Sequence, residues 1–252
     1  MFGLFNKTKI SNDDEAVTSL MRISSMGFGS EDDFKKENML KVLGEVEGYV
    51  HNLQNPKIAY WLGIAWRNFT AWHIRGDERK EYLEKAVFYF DKALSLAKNT
   101  LPVQLPLDKR HNSDYLDQID IAGDLGDILV NEALIRDLDR AERVLQLVFD
   151  GTEEYEPCLC AYAELFYKRG DYQKCAEIGL NISDRCAKSP EWKDNPPPAP
   201  LGIVGSAYRA LAKQAKKEGK AEEAIGLFQK MKELKLASNN DLRILDRLKT
   251  TN

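Results

Sequence analysis

The chain has 252 residues, of which 43% are hydrophobic and 30% are charged, a composition typical of a soluble globular protein. Its formal net charge of −4 argues against a general nucleic-acid binder, which usually carries an excess of basic residues. No stretch approaches the roughly 20 apolar residues that a membrane-spanning helix needs, and no export signal is recognisable. We therefore expect a cytoplasmic protein whose cysteines are free thiols.

Apolar residues recur at spacings of three and four along the chain, which predicts an all-α protein. We expect a loosely ordered N-terminus at 1–12 and an N-terminal helical hairpin at 13–55. Four further hairpins are predicted, at about 57–98, 113–150, 155–187 and 201–235. In the last segment, 237–252, Ser238 is expected to cap a short helix whose apolar face is Leu242, Leu245 and Leu248. Such a helix would cover the open end of a helical array.

A spacing of 34 residues relates two of these helical segments. Ala141 and Cys175 are separated by 34 positions, and the same shift takes Asp137-Leu138 onto Asp171-Tyr172. This is the period of a helix-turn-helix repeat. Stacked repeats of this kind form an extended groove, which favours a binding function over a catalytic one.

The region 56–236 resembles the tetratricopeptide repeat family. The matching residues are small residues, aromatic residues and turn glycines at the family's positions: Leu62-Gly63, Trp66, Gly76-Asp77, Ala86, Phe90, Ala93-Leu94, Ala141, Leu145, Ala163, Phe166, Gly170-Asp171-Tyr172, Cys175, Gly219, Ala224 and Phe228. The resemblance implies antiparallel helical hairpins stacked as a right-handed α-solenoid. The hairpin at 113–150 matches least, since it has no turn glycine, and two junctions hold insertions.

In this family the first helix of each hairpin lines the concave groove. The resemblance therefore implies that the groove of the first matching hairpin is lined by Tyr60, Trp61, Ile64, Arg67 and Asn68. Tyrosine, tryptophan and arginine carry much of the binding energy of interfaces, so this set favours a peptide-binding surface. Alternatively, Tyr60 and Trp61 pack against the N-terminal helices.

Some family members hold the C-termini of chaperones in a clamp of lysine and asparagine side chains. At the matching positions this chain has Tyr60, Ile64 and Asp127, where Asp127 is the groove position of the second hairpin. That difference argues against a chaperone-tail clamp.

A basic stripe, Arg209, Lys213, Lys216, Lys217 and Lys220, follows helical spacing near the C-terminus. The resemblance implies that Arg209, Lys213 and Lys217 face the groove, where they would attract an acidic or phosphorylated protein or peptide. Alternatively, the stripe is a solvated helix end whose lysines complement the helix dipole.

An acidic stripe, Asp114, Asp117, Asp120, Asp124 and Asp127, would span about 140° of one continuous helix. Five acids this close must be neutralised by water, by a basic partner or by the chain's own lysines. A helix stripe lacks the loop geometry of a calcium site, so we expect a solvated face.

Motifs of catalysis and metal binding are missing from the sequence. It has no glycine-rich phosphate loop, no H-E-x-x-H and no G-x-S-x-G, so we expect no enzyme and no cofactor. The four cysteines, Cys158, Cys160, Cys175 and Cys186, have no C-x-x-C spacing, and the three histidines are scattered. We expect no metal site and interpret the cysteines as small buried hydrophobes.

The leading hypothesis is a scaffold or adaptor that binds a partner protein or peptide in its groove through the residues named above. A first alternative is a helical protein that binds nucleic acid or phosphate through the 209–220 basic stripe and the nearby Tyr208. A second is an enzyme without a recognisable motif, whose site lies between hairpins. No pattern in the sequence specifies the number of subunits.

Overall fold

The computed structural model of the chain describes residues 10–24, 29–50, 53–105, 115–152, 158–189 and 198–251. These ranges contain α-helices and no strand, which confirms the expected all-α class. The helices are α1 Asp13–Ser24, α2 Lys36–Tyr49, α3 Pro56–His73, α4 Arg79–Ala97, α5 Gln118–Asn131, α6 Leu138–Gly151, α7 Leu159–Arg169, α8 Tyr172–Lys188, α9 Ala199–Lys217, α10 Ala221–Glu233 and α11 Asn239–Thr251. Most of the expected N-terminal segment 1–12 lies outside the described residues, as do 113–114, 155–157 and 190–197.

None of the described helices is both long enough and apolar enough to cross a membrane.

The chain divides into two compact units, Met1–Arg136 and Asp137–Asn252. The first unit contains α1 to α5 and the second contains α6 to α11. The division falls inside the hairpin expected at 113–150, so the two helices of that hairpin belong to different units. In the first unit α5 packs against α4, and in the second unit α6 packs against α7.

The centre of the first unit is the pair α3 and α4, and α1 and α2 also pack against α3. Helix α3 begins where Asn55 caps it, accepting a hydrogen bond from the amide of Lys57 at 2.9 Å, with Pro56 in the first turn. At Gly63 a β-carbon would lie only 2.8 Å from ring atoms of Phe90. The glycine therefore permits an approach of the two helices that no larger residue would allow.

Neighbouring helices in the second unit pack in chain order, from α6 against α7 to α10 against α11, and α7 also contacts α9. Gly170 and Gly219 end α7 and α9 with φ of 81° and 75°, and Gly76 in the first unit has φ of 65°. These are the three predicted turn glycines, and the left-handed backbone confirms them, because side chains disfavour it.

The final helix confirms its predicted cap. Ser238 Oγ accepts a hydrogen bond from the amide of Asp241 at 3.2 Å, and Asp241 Oδ2 accepts one from the amide of Ser238 at 2.8 Å. Leu245 is buried, and α11 packs against α10.

Candidate functional site

Arg67 of α3 binds two carboxylates of α5 in the first unit. Its Nη1 lies 3.1 Å from Asp124 Oδ1, and its Nη2 contacts Asp127 Oδ2. The Tyr60 hydroxyl donates a hydrogen bond to Asp124 Oδ2 at 2.8 Å. We call these four residues the Arg67 cluster.

Burial raises the pKa of two members of the Arg67 cluster, Asp124 and Tyr60. It raises the pKa of Asp124 above its usual value, although Arg67 and the hydrogen bond from Tyr60 act in the opposite direction. Burial, and next the charge of Asp124, raise the pKa of Tyr60 well above its usual value, so the hydroxyl keeps its proton and remains a donor. The polar groups of the cluster thus have partners within the first unit, including Asn131, whose amide donates to Asp127 Oδ1 at 2.8 Å.

Two other expected groove residues of α3, Asn68 and Trp61, also have contacts within the first unit. Asn68 Nδ2 donates a hydrogen bond to the carbonyl of Ser24 at the end of α1, at 2.8 Å. Trp61 meets the Tyr60 ring edge-on, with 5.4 Å between centroids, and both Trp61 and Ile64 are half-buried. Tyr60 packs against a buried cluster that includes Ala93 and Ile121.

The acidic stripe is not the continuous solvated face that the sequence predicts, although Asp120 is exposed. Asp114 lies outside the described residues, and Asp117 precedes α5 as its N-cap, with extended backbone and 2% exposure. Asp117 accepts a hydrogen bond from the amide of Asp120 at 2.9 Å, and Asp120 returns the contact to the amide of Asp117 at 3.1 Å. Asp124 and Asp127, whose side chains are each 28% exposed, form ion pairs with Arg67. The stripe therefore caps α5 and ties it to α3.

The second unit contains a cavity of about 550 Å³ beside α9, which we call the α9 cavity. Its lining residues come from the end of α7, the start of α8 and one face of α9: Tyr167, Tyr172, Ser206, Arg209, Ala210, Lys213, Gln214 and Lys217. The turn at Gly170 brings the rings of Tyr167 and Tyr172 to 5.2 Å between centroids, and Tyr167 is 39% exposed. The cavity therefore combines aromatic surface with a cationic wall.

The charges of this wall are only partly compensated. Helix α9 carries four cations, Arg209, Lys213, Lys216 and Lys217, and no carboxylate. Lys213 and Lys217 are exposed, and within the described part of the chain neither has an ion-pair partner. Two of the three cations that line the cavity are therefore available to a ligand.

Arg209, the third cation, is held by the start of α11. Its Nε lies 3.0 Å from Asp241 Oδ2, and its Nη2 donates a hydrogen bond to the Leu236 carbonyl at 2.9 Å. Burial would raise the pKa of Asp241, but hydrogen bonds from Ser238 and the charge of Arg209 outweigh it and hold the pKa below its usual value.

The sequence predicted Arg209, Lys213 and Lys217 as binding residues. It did not predict that Tyr167, Tyr172 and Asp241 lie beside them. In the sequence, Tyr172 was noted only as part of the Gly170-Asp171-Tyr172 turn pattern of the repeat. The Ser-x-x-Asp pattern that starts α11 could have identified Asp241 as a capping residue. Nothing in that pattern connects it with Arg209, which lies 32 residues earlier.

Tyr208, named beside the basic stripe in the nucleic-acid alternative, is buried. Its side chain is 3% exposed, and Lys230 Nζ lies 5.2 Å from the ring centroid. A buried ring offers no open face to a base.

The cysteines are unbridged, as expected. Burial raises the pKa of the Cys175 thiol to about 12 and also raises the pKa of Cys186, so both thiols stay protonated near neutral pH. Among the described residues no group of three histidine, cysteine, aspartate or glutamate side chains is arranged to hold a metal ion.

Compared with protein-family models and with curated proteins, the chain gives no significant match to either.

Proposed function

We propose that the chain is a non-catalytic interaction scaffold whose second unit binds an acidic or phosphorylated segment of a partner protein in the α9 cavity. The observation that carries the proposal is the pair Lys213 and Lys217, which line a cavity beside two tyrosines without a counter-charge among the described residues. Uncompensated charge of one sign accelerates and orients the encounter with a partner of opposite sign. Tyrosine rings supply contact area at little entropic cost.

The proposal includes a tetratricopeptide-like arrangement of the hairpins as a right-handed solenoid. The turn glycines, the close approach at Gly63 and the contact between α7 and α9 support it. In that arrangement α7 and α9 are first helices of neighbouring repeats, and the cavity occupies their groove side. A cytoplasmic location completes the proposal, since a reducing compartment keeps the four cysteines free.

The first unit has a supporting role in this proposal. The side chains of Tyr60 and Arg67 bind aspartates of α5, one of which is Asp127, and the side chain of Asn68 donates a hydrogen bond to α1. Trp61 and Ile64 are half-buried beside them. These residues stabilise the scaffold, while the ligand contacts are assigned to Tyr167, Lys213 and Lys217.

The test is fluorescence anisotropy of a fluorescein-labelled hexaglutamate peptide titrated with the full chain, with hexaglutamine as the uncharged control. We expect binding of hexaglutamate alone, weaker at higher salt because exposed charges are screened. Lys213→Glu should weaken binding at least about tenfold, since it places a like charge against the ligand. The matched control is Lys216→Glu, which makes the same change on the same helix outside the cavity.

Equal losses in the two variants would show that only net charge matters, and would overturn the assignment to the cavity. Absence of hexaglutamate binding by the unaltered chain would overturn the proposed ligand class. A labelled oligouridine that binds more tightly than hexaglutamate would favour the nucleic-acid alternative instead.

A further inference from the structure

The guanidinium of Arg209 is shared between the α9 cavity and the first turn of α11. Nε and Nη2 are committed to Asp241 and to the Leu236 carbonyl. Nη1 donates no hydrogen bond within the described residues, and a β-carbon built on Gly205, one turn earlier on α9, would lie 3.5 Å from it. Arg209 thus lines the cavity, and its Nη1 has no hydrogen-bond partner among the described residues.

The acceptors that hold Arg209 are themselves fixed. Asp241 is 5% exposed, and its Oδ2 also accepts hydrogen bonds from the Ser238 amide at 2.8 Å and the Ser238 hydroxyl at 2.7 Å. The Leu236 carbonyl belongs to the short connection between α10 and α11. An arginine held at two nitrogens by fixed acceptors has lost its rotamer freedom before any ligand arrives.

We infer that Asp241 is a positioning residue for the α9 cavity, which orients Arg209 so that its Nη1 meets the acidic group that Lys213 and Lys217 attract. This inference rests on the proposed function. The final helix α11 then belongs to the binding site, in addition to covering α10. Pre-orientation lowers the entropic cost of binding, because the ligand does not have to immobilise a long side chain.

Removal of Asp241 should either strengthen or weaken ligand binding, and the direction of that change separates a positioning role from a purely electrostatic one. Asp241 carries a negative charge near a cavity that takes a negative ligand. If Asp241 acted only through its charge, its removal would strengthen binding. If it positions Arg209, its removal frees the guanidinium and weakens binding.

The experiment compares Asp241→Asn with Asp246→Asn, in the full chain, against the hexaglutamate probe. Both changes remove one negative charge from α11, but Asp246 is exposed and does not line the cavity. We expect about tenfold weaker binding for Asp241→Asn, the lower end of the effect of losing a charge-assisted hydrogen bond. Asp246→Asn should bind as well as the unaltered chain or slightly better.

Hydrogen exchange of the amides of α11 accompanies each titration and reports whether the helix stays docked. Weaker binding with α11 protected supports the inference, and unchanged or tighter binding overturns it. If Asp241→Asn loses the protection of α11, Asp241→Glu decides instead. It keeps the charge and displaces it by one methylene, so full affinity in that variant with α11 protected would overturn the inference. The unaltered chain serves as the separate check on the proposed function, because failure of hexaglutamate to bind to it concerns the cavity itself and not Asp241.

Discussion

Helices α5 and α9 each carry charges of a single sign, and the fold treats them in opposite ways. Helix α5 has three aspartates and no cation, and α9 has four cations and no carboxylate. The aspartates of α5 are used within the first unit, in its N-terminal cap and by Arg67. Lys213 and Lys217 of α9 line a cavity without such partners among the described residues. Among the described residues, the fold therefore supplies counter-charges to two of the α5 aspartates and not to Lys213 and Lys217, and we propose the ligand site beside the second pair.

The largest expected effect comes from removing the counter-charge of α5. Arg67→Met keeps most of the side-chain stem and leaves two partly buried aspartates facing each other. We expect the first unit to lose about 2 kcal/mol of unfolding free energy, less than for a fully buried ion pair, because the aspartate side chains are each 28% exposed. Urea unfolding followed by tryptophan fluorescence measures it, because Trp61, Trp66 and Trp72 lie in the first unit.

Lys80→Met is the control for this change. Lys80 forms an exposed ion pair with Glu84 at 3.8 Å, with both side chains 59% exposed. Its loss should change stability by less than about 0.5 kcal/mol. Equal losses in both variants would contradict the structural role given to the Arg67 cluster.

A smaller effect is expected from Tyr60→Phe. The substitution removes the hydroxyl that donates to Asp124 and keeps the ring, so we expect a loss of about 1 kcal/mol in the same unfolding measurement. Tyr49→Phe is the matched control, because its hydroxyl donates to Asp13 at 2.9 Å at an exposed position. A loss from Tyr49→Phe as large as that from Tyr60→Phe would contradict the importance of burial.

Asp124 in the first unit and Asp241 in the second should change the unfolding free energy in opposite directions as the pH falls. The pKa of Asp124 is raised in the folded protein, so its contribution to stability increases as the pH falls through that raised pKa towards the usual one. The pKa of Asp241 is lowered, so its contribution is present above the usual pKa and is lost as the pH falls through the lowered one. The urea midpoint of each variant is measured at neutral and at acidic pH, and the difference from the unaltered chain is compared between the two pH values. As the pH falls, Asp124→Asn should become less stable relative to the unaltered chain, and Asp241→Asn should become more stable relative to it. Shifts in the same direction would contradict the prediction.

The smallest expected effect concerns the lysines of α9. Replacing Lys213 and Lys217 together by alanine should change the unfolding free energy by less than about 0.5 kcal/mol, because exposed side chains without partners contribute little. Circular dichroism during urea unfolding measures it. A large loss would show that these lysines stabilise the fold, and the contrast with α5 would then disappear.

Local features of the fold were predictable from the sequence. Turns and helix caps depend on residues that are close together in the sequence, so the sequence alone can predict them. Examples are the turn glycines Gly76, Gly170 and Gly219 and the cap at Ser238. Gly63 and Phe90, which were predicted from the sequence as a small residue and an aromatic residue of neighbouring helices, lie in close contact.

Contacts between distant residues were not predictable in the same way. Tyr60 and Asp124 are separated by 64 positions, and Arg67 and Asp124 by 57. Helical periodicity places each of them on a face of its own helix without specifying which helix it meets. For that reason the acidic stripe was interpreted as a solvated face, and Asp241 was not connected with the basic stripe. Three residues that line the α9 cavity, Arg209, Lys213 and Lys217, were predicted as partner-binding residues. Its tyrosines were not, because their proximity depends on the structure of the turn at Gly170.

The contact between Gly63 and Phe90 has a consequence for recognising relatives of this protein. Because a β-carbon at position 63 would lie 2.8 Å from the ring, a substitution of the glycine requires the Phe90 ring to shift or to be replaced by a smaller side chain. In descendants of the same ancestral sequence the two positions are therefore expected to vary together. Gly179 and Val204 form a second such pair, since a β-carbon on that glycine would lie 2.7 Å from a methyl group of the valine. A comparison that scores each pair jointly could detect divergent relatives that position-by-position scoring passes over.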